Sequence, residues 1–166
     1  MTASAMCLAL CLVLPFLTGQ IPQIGNALCP MHLPVFLAGF LCGPLWASAV
    51  GITAPLLRHF IFSMPPLLTA IAMSFELAAY GFVSGLLYRK LPKNLFCIYL
   101  SLIPAMILGR CLWGIVRIFL SGVSGEAFTW TMFLAGAFTT AIPGIILQLI
   151  LIPVLISALR KANFIE

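Results

Sequence analysis

The chain has 166 residues, of which 63% are hydrophobic and 7% are charged, and its formal net charge is +5. Such an apolar composition is typical of an integral membrane protein and leaves no room for a soluble domain. The sequence contains no GxxxxGK[ST] phosphate loop and no HExxH motif, which argues against an ATPase, a metalloenzyme and a metal site. We attribute the excess of basic residues to orientation of the spans in the bilayer, and we expect no nucleic acid partner.

Apolar runs separated by Gly, Pro or charged residues follow one another along the chain. Crossing a hydrocarbon core of ~30 Å takes roughly 20 apolar residues in a helix, so five or six spans fit. The sequence therefore predicts an all-α polytopic membrane protein, with residues 1–166 forming one transmembrane domain of six helices. The predicted runs cover residues 3–17, 31–43, 45–62, 67–88, 95–121 and 128–158.

The number of spans depends on residues 31–62, which Gly43-Pro44 interrupts. Two short helices here would give six spans, and one long span with a frayed end would give five. Basic residues favour the cytoplasmic side of a membrane, and two spans separate the clusters at 89–93 and 160–161. Both clusters are therefore expected in the cytoplasm, and six spans would place both termini there.

The last run is expected to be one helix bent by Pro143 and Pro153, because neighbouring helices can satisfy the carbonyls that a proline frees. The six cysteines form no CxxC pair and lie mostly in apolar segments. We interpret them as small buried hydrophobic side chains, and not as disulfides or metal ligands.

Three large polar side chains share one face of the fifth run, because Arg110, Trp113 and Arg117 are spaced i, i+3 and i+7. A guanidinium as deep as that of Arg110 needs a partner or a water-filled cavity, which favours an internal role. Arg117 is expected near the outer edge, where it could equally reach the lipid headgroups.

Glu76 in the fourth run is predicted to lie ~14 Å below the outer membrane surface, with Tyr80 one turn further on the same face. This depth is close to that of Arg110, so the two side chains are expected to meet. The pair could be a buried structural ion pair or the floor of a ligand pocket.

Arg58 and Arg117 together predict a basic outer mouth, which suits a small organic anion because arginine holds a carboxylate through two parallel hydrogen bonds. His32 is isolated in sequence and is either a hydrogen-bonded structural residue or a ligand contact. Gln23 and Asn26, in the loop over residues 18–30, could bind a solute or form turns.

Ala5 and Ala9 lie four residues apart in the first run, a spacing that lets a second helix approach closely. The partner helix could belong to this chain or to another protein.

Several stretches, in this order, resemble the substrate-binding S component of energy-coupling factor (ECF) transporters. They include the Ala5-xxx-Ala9 pattern, the long loop before Pro30-Met-His-Leu-Pro34, and two glycine- and proline-containing motifs. These two motifs are Ala38-Gly-Phe-Leu-Cys-Gly-Pro44 and Gly51-Ile-Thr-Ala-Pro55. The most specific stretch runs from Met64-Pro-Pro through Ser74-Phe-Glu-Leu-Ala-Ala-Tyr80 to Tyr88.

The resemblance implies a multi-pass protein of a bacterial plasma membrane that binds a vitamin from outside and has no catalytic residues. It implies that a membrane T component docks on Ala5 and Ala9. Two cytosolic ATPases would use the ATP, and this chain would need no cofactor.

Within the family, the sequence is most similar to the pantothenate-type branch, with Arg58, Arg110 and Arg117 as anion partners. Pyridoxine-like and hydroxymethylpyrimidine-like solutes remain alternatives, since Tyr80, Trp113 and Trp130 could stack on their rings.

Two other classes of protein are compatible with the sequence. A self-assembling small exporter or channel would form a homo-oligomer and transport without an ATPase. A membrane-embedded enzyme using Glu76 and His32 would need both side chains at one depth, whereas the runs place His32 near a surface and Glu76 deeper.

Overall fold

The computed structural model describes residues 1–17, 28–124 and 129–162, and every regular element in these segments is helical. The elements are α1 (Thr2–Leu17), α2 (His32–Cys42), α3 (Pro44–Phe62), α4 (Leu67–Lys90), α5 (Leu95–Ser124), α6 (Trp130–Leu134), a π-helical turn (Ala135–Thr139) and α7 (Ile142–Lys161). Four of these helices, α3, α4, α5 and α7, are long and apolar enough to cross a membrane, and α1 and α2 are shorter apolar helices.

Residues 31–62 form two helices, α2 and α3, and not one long helix; α3 is long enough to cross a membrane, and α2 is shorter. Gly43 separates them with φ of 88°, a backbone conformation that favours glycine. Pro44 then begins α3, where its missing N–H costs nothing. Arg89 closes the end of α2 by donating from Nη2 to the Cys42 carbonyl at 3.2 Å.

Helix α4 lies at the centre of the bundle, in contact with α2, α3 and α5. Glycines let the backbones of α3 and α4 approach closely. A Cβ atom at Gly51 would lie 2.5 Å from the Leu77 carbonyl carbon, and one at Gly81 would lie 2.7 Å from that of Ala47. This packing buries one side of α4, which includes Glu76 and Tyr80.

Helix α2 is short and runs parallel to the second half of α4. Phe36 stacks on Tyr80 with ring centroids 4.9 Å apart, and Phe40 meets Tyr88 edge-on at 4.7 Å. The first residue of α2, His32, therefore lies at the level of Glu76, well inside the bundle. The chain entering α2 is buried as well, since Cys29 and Met31 are 8% and 4% exposed.

The two basic clusters lie at the same end of the bundle, as the sequence predicts. Arg160 at the end of α7 donates to the Lys93 carbonyl, and its guanidinium carbon lies 5.8 Å from the centre of the Tyr88 ring.

The prediction of one bent helix over residues 128–158 is wrong in its first half. The segment is divided into α6, the π-helical turn and α7, and Pro143 lies at the start of α7 instead of inside a helix. The reason is that proline lacks an N–H and its ring clashes with the preceding turn, so a new helix begins there. Of the two prolines predicted to bend this run, only Pro153 lies inside a helix.

Candidate functional site: a buried cluster around Glu76

Glu76 is the centre of a polar cluster enclosed by apolar helices. Its Oε1 atom accepts a hydrogen bond from the Tyr80 hydroxyl at 2.8 Å and lies 3.4 Å from Arg110 Nε and 3.5 Å from His32 Nε2. Glu76, His32 and Arg110 are 3%, 3% and 6% exposed. Charges at such depth in an apolar bundle are costly and are retained where they pair or bind a solute.

Local features of three helices bring these side chains together. Glu76 and Tyr80 are one turn apart on α4, so the phenol lies directly beside the carboxylate. On α5, Gly109 leaves room for the Tyr80 ring, since a Cβ atom there would overlap ring atoms Cε1 and Cδ1. The ring is thus fixed between Phe36 and α5, with its hydroxyl directed at Glu76.

The predicted meeting of Glu76 and Arg110 is confirmed, because the two side chains form an ion pair at 3.4 Å. The expectation that His32 lies near a surface and apart from Glu76 is wrong. It assumed that the second run begins at the membrane surface, whereas α2 begins halfway along α4.

Arg110 also contacts two groups that sequence reasoning did not identify. Its Nη1 atom donates to the Gly136 carbonyl at 3.4 Å, and its Nη2 atom donates to the Cys29 sulfur at 3.8 Å. Gly136 belongs to the π-helical turn, an irregularity that often occurs at functional sites. Neither contact has a signal in the sequence, because one uses a backbone atom and the other joins residues 81 positions apart.

Several polar atoms of the cluster are buried without a hydrogen bond. Within the described segments, both ring nitrogens of His32 lack a hydrogen-bond partner, and Arg110 Nε has only its ion-pair contact with Glu76. A buried donor or acceptor without a partner costs about 1–3 kcal/mol. His32 Nδ1, which has no contact with Glu76, is therefore suited to bind a polar ligand.

The structure places Arg58 in a different set of contacts. The side chain is 5% exposed, and Nη1 donates to the Leu12 carbonyl at 3.0 Å. The guanidinium carbon lies 5.4 Å and 5.5 Å from the ring centres of Phe16 and Phe62. Arg58 thus joins the ends of α1 and α3.

The other two predicted residues of α5 lie further along the helix from Arg110. The Trp113 ring stacks near Phe133 with centroids 6.4 Å apart, and a Cβ atom at Gly136 would lie 2.8 Å from it. Arg117 is half-buried one turn beyond Trp113. Helix α6 and the π-helical turn therefore pack along this face of α5.

Two predicted site residues, Gln23 and Asn26, lie outside the described residues. Ala5 and Ala9 are exposed on the outer face of α1, whereas Cys7 and Cys11 face the bundle.

An open groove between α3 and α4 is apolar and separate from the Glu76 cluster. The Ser74 hydroxyl in its wall donates back to the Ala70 carbonyl at 2.8 Å, so it offers no unpaired donor. The groove is lined by Ile52, Leu56, Ile71, Ser74, Phe75 and Ala78.

A helical bundle with several membrane-spanning helices and an ion-paired cluster among them defines a polytopic membrane protein with an internal polar site. The chain belongs to the family of ECF transporter substrate-specific components, whose family model matches residues 1–156. No curated protein and no solved structure matches the chain. Members of this family are substrate-binding transport subunits and not enzymes, so the meeting of His32 and Glu76 does not indicate catalysis.

Proposed function

We propose that this chain is the high-affinity subunit of an ATP-driven vitamin importer and binds a small carboxylate-bearing, pantothenate-like solute on the outer side of the membrane. The observation that carries the proposal is the buried Arg110 guanidinium, which is paired with Glu76 yet has only weak partners at its Nη atoms. Family membership supports the role as a substrate-binding subunit.

The contacts of Arg110 suggest how the anion is held. Its Nη atoms donate to a carbonyl at 3.4 Å and to a thiol at 3.8 Å. A ligand carboxylate is a much stronger acceptor, with charge-assisted hydrogen bonds of about 2.7–2.9 Å. We infer that the carboxylate replaces Cys29 and Gly136 as the partner of Arg110, while Glu76 keeps the guanidinium oriented through Nε.

The rest of the ligand would meet groups from neighbouring elements. Within the described segments, His32 Nδ1 has no hydrogen-bond partner and is available to a ligand, and Tyr80 and Trp113 offer aromatic surface. We retain Arg117, Gln23 and Asn26 as proposed contacts from the outer side. Arg58 is proposed to hold α1 in place and not to touch the ligand, because its guanidinium already has three partners.

We further propose that a membrane T component docks on the Ala5–Ala9 face of α1 and that two cytosolic ATPases supply the energy. Both alanines are exposed, and their small side chains would let a partner helix approach closely. The proposal places six passes in a bacterial plasma membrane, with the basic end of the bundle and both termini in the cytoplasm.

A second candidate ligand is favoured by the Glu76 carboxylate itself. A pyridoxine-like or hydroxymethylpyrimidine-like ring carries a basic nitrogen, and a carboxylate beside a phenol could bind its protonated form. The self-assembling exporter or channel is less well supported, because the family is one of substrate-binding subunits.

Calorimetry on the purified chain in lipid nanodiscs tests the proposal. We expect nanomolar binding of pantothenate and a large loss of affinity in Arg110→Ala. Binding of pyridoxine but not pantothenate would support the second candidate. If no B vitamin binds or raises the melting temperature, the proposed function is wrong.

A further inference from the structure

Basic side chains are concentrated at the end of the bundle where α4 ends, α5 begins and α7 ends. Five of the eight lysine and arginine residues of the chain lie there, and four of them are exposed. The only glutamate in the described segments, Glu76, is buried beside Arg110. Within those segments, the basic end therefore has no carboxylate partner. Its five residues are Arg89, Lys90, Lys93, Arg160 and Lys161, of which Arg160 is half-buried.

Arg160 connects two parts of this basic end that are distant in sequence. Its Nη1 atom donates to the carbonyl of Lys93, in the turn between α4 and α5. Its guanidinium carbon lies 5.8 Å from the centre of the Tyr88 ring, near the end of α4. Because Lys161 follows Arg160 directly, this contact brings two exposed lysines, Lys93 and Lys161, to neighbouring positions.

Two polar atoms of this region are buried without a hydrogen bond. Within the described segments, the Tyr88 hydroxyl and Arg160 Nε have no partner. A buried donor without an acceptor is unfavourable. An anion that offers only acceptors is the kind of ligand that a guanidinium, a phenol and two ammonium groups can bind together.

The surface next to Lys93 is apolar. Helix α5 begins with Leu95 and Phe96, which are both large, exposed hydrophobic side chains. Helices α4, α5 and α7 are long and apolar enough to cross a membrane, so their ends lie at the level of the lipid headgroups.

A phospholipid matches both parts of this surface, with its phosphate against the basic groups and an acyl chain against the apolar ones. A soluble phosphate or an acidic protein segment would satisfy the charges alone and would leave Leu95 and Phe96 uncovered. The combination of charge and exposed apolar surface therefore favours a lipid.

We propose that the basic end is a binding site for one anionic phospholipid, whose phosphate is held by Lys93, Arg160 and Lys161 and whose acyl chain lies on Leu95 and Phe96. The lipid connects the start of α5 with the end of α7. Tyr88 is three turns along α4 from Glu76, ~18 Å at helical rise. The lipid site is thus separate from the Glu76 cluster, and the inference does not depend on the proposed vitamin.

Native mass spectrometry of the full chain in detergent, mixed with dioleoyl-phosphatidylglycerol or dioleoyl-phosphatidylcholine, counts bound lipids and measures their affinities. A basic residue near an anionic membrane surface contributes about fivefold in affinity. We therefore expect one phosphatidylglycerol, bound at least about tenfold more tightly than phosphatidylcholine. Lys93→Gln and Lys161→Gln should each weaken its binding about fivefold. Arg117→Gln is the matched control, because it removes the same charge towards the other end of α5 and should keep the affinity.

A second pair of variants tests the acyl-chain contact without changing any charge. Phe96→Ser should weaken phosphatidylglycerol binding a few-fold. Phe119→Ser is its control, because Phe119 is similarly exposed in the same helix but lies far from the basic end. An unchanged affinity in Phe96→Ser would overturn the proposed placement of the lipid.

Three further results would overturn the inference. Equal affinities for the two lipids, or unchanged affinity in both lysine variants, would show that the basic end does not select an anionic lipid. Displacement of the lipid by an equal concentration of glycerol 3-phosphate would assign the site to a soluble phosphate. Displacement by an equal concentration of a polyglutamate peptide would assign it to an acidic protein partner.

Discussion

The Tyr80 hydroxyl donates to Glu76 Oε1 at 2.8 Å, and the same oxygen faces Arg110 on α5 and His32 on α2. One carboxylate oxygen thus connects the central helix to two of its neighbours. Removing its charge affects a cation, an imidazole and a phenol at once, so stability and binding can be separated by changing each of these partners in turn.

Glu76→Gln is expected to destabilise the fold more than it weakens binding. Leaving Arg110 as a buried charge without its partner costs about 3–5 kcal/mol, which should lower the melting temperature in detergent substantially. Tyr80→Phe serves as the comparison, since it removes one hydrogen bond and should cost only about 1–3 kcal/mol. An unchanged melting temperature in Glu76→Gln would show that the ion pair does not stabilise the bundle.

Arg110→Lys is expected to reduce affinity for a carboxylate ligand by about tenfold or more. Lysine keeps the charge but cannot donate two parallel hydrogen bonds, and a charged hydrogen bond contributes about 1.5–3 kcal/mol. Titration calorimetry measures the effect. The matched control is Arg89→Lys at the other end of α4, where the guanidinium bonds the Cys42 carbonyl and should not influence affinity. Equal affinities in both variants would place the anion away from Arg110.

Arg58→Ala should lower the melting temperature while affinity changes by no more than a few-fold. Its loss removes the hydrogen bond to Leu12 and the contacts with Phe16 and Phe62 that join α1 to α3. A tenfold loss of affinity in Arg58→Ala with normal stability would instead support a direct role in the basic mouth.

In contrast, Arg117→Ala should weaken anion binding by more than about tenfold, because a charge-assisted hydrogen bond from Arg117 to the ligand would be lost. Titration calorimetry measures this change, and an unchanged affinity would place Arg117 outside the site.

Gly109→Ala is expected to disturb the site through Tyr80. The added methyl group would overlap the phenol ring, which must then move away from Glu76. Overpacking of this kind typically costs about 1–3 kcal/mol, and the displacement should reduce affinity as well. Gly122→Ala in the same helix is the control, because nothing lies within 4 Å of the new methyl group. That change should be neutral or slightly stabilising, since alanine favours helices by about 1 kcal/mol over glycine.

Ala9→Trp should abolish copurification with a coexpressed T component while leaving vitamin binding intact. A bulky side chain prevents close approach of a partner helix at the exposed face of α1. The same substitution at Ile103, which is 46% exposed on α5, should leave the complex intact. Loss of the complex in both variants would indicate a general effect of bulk and not a specific interface.

The sequence was sufficient to predict an all-helical membrane protein and the pairing of Glu76 with Arg110. These features depend on local hydrophobicity and on helical rise, which converts residue number into depth. The effect of Pro143 does not follow from the sequence alone, because a proline can either bend a helix or begin a new one, and here it lies at the start of α7.

Only the tertiary structure decided which polar groups share the layer of Glu76. His32 lies beside Glu76 because α2 begins inside the bundle. The Cys29 thiol and the Gly136 carbonyl contact Arg110 through packing between segments that are distant in sequence. Arg58, in contrast, packs against Phe16 and Phe62. Hydrophobic periodicity describes each helix alone, whereas these contacts depend on where one helix starts relative to another. That offset is set by backbone packing, as where Gly39 of α2 and Gly85 of α4 approach each other, and has no signature in a single segment of sequence.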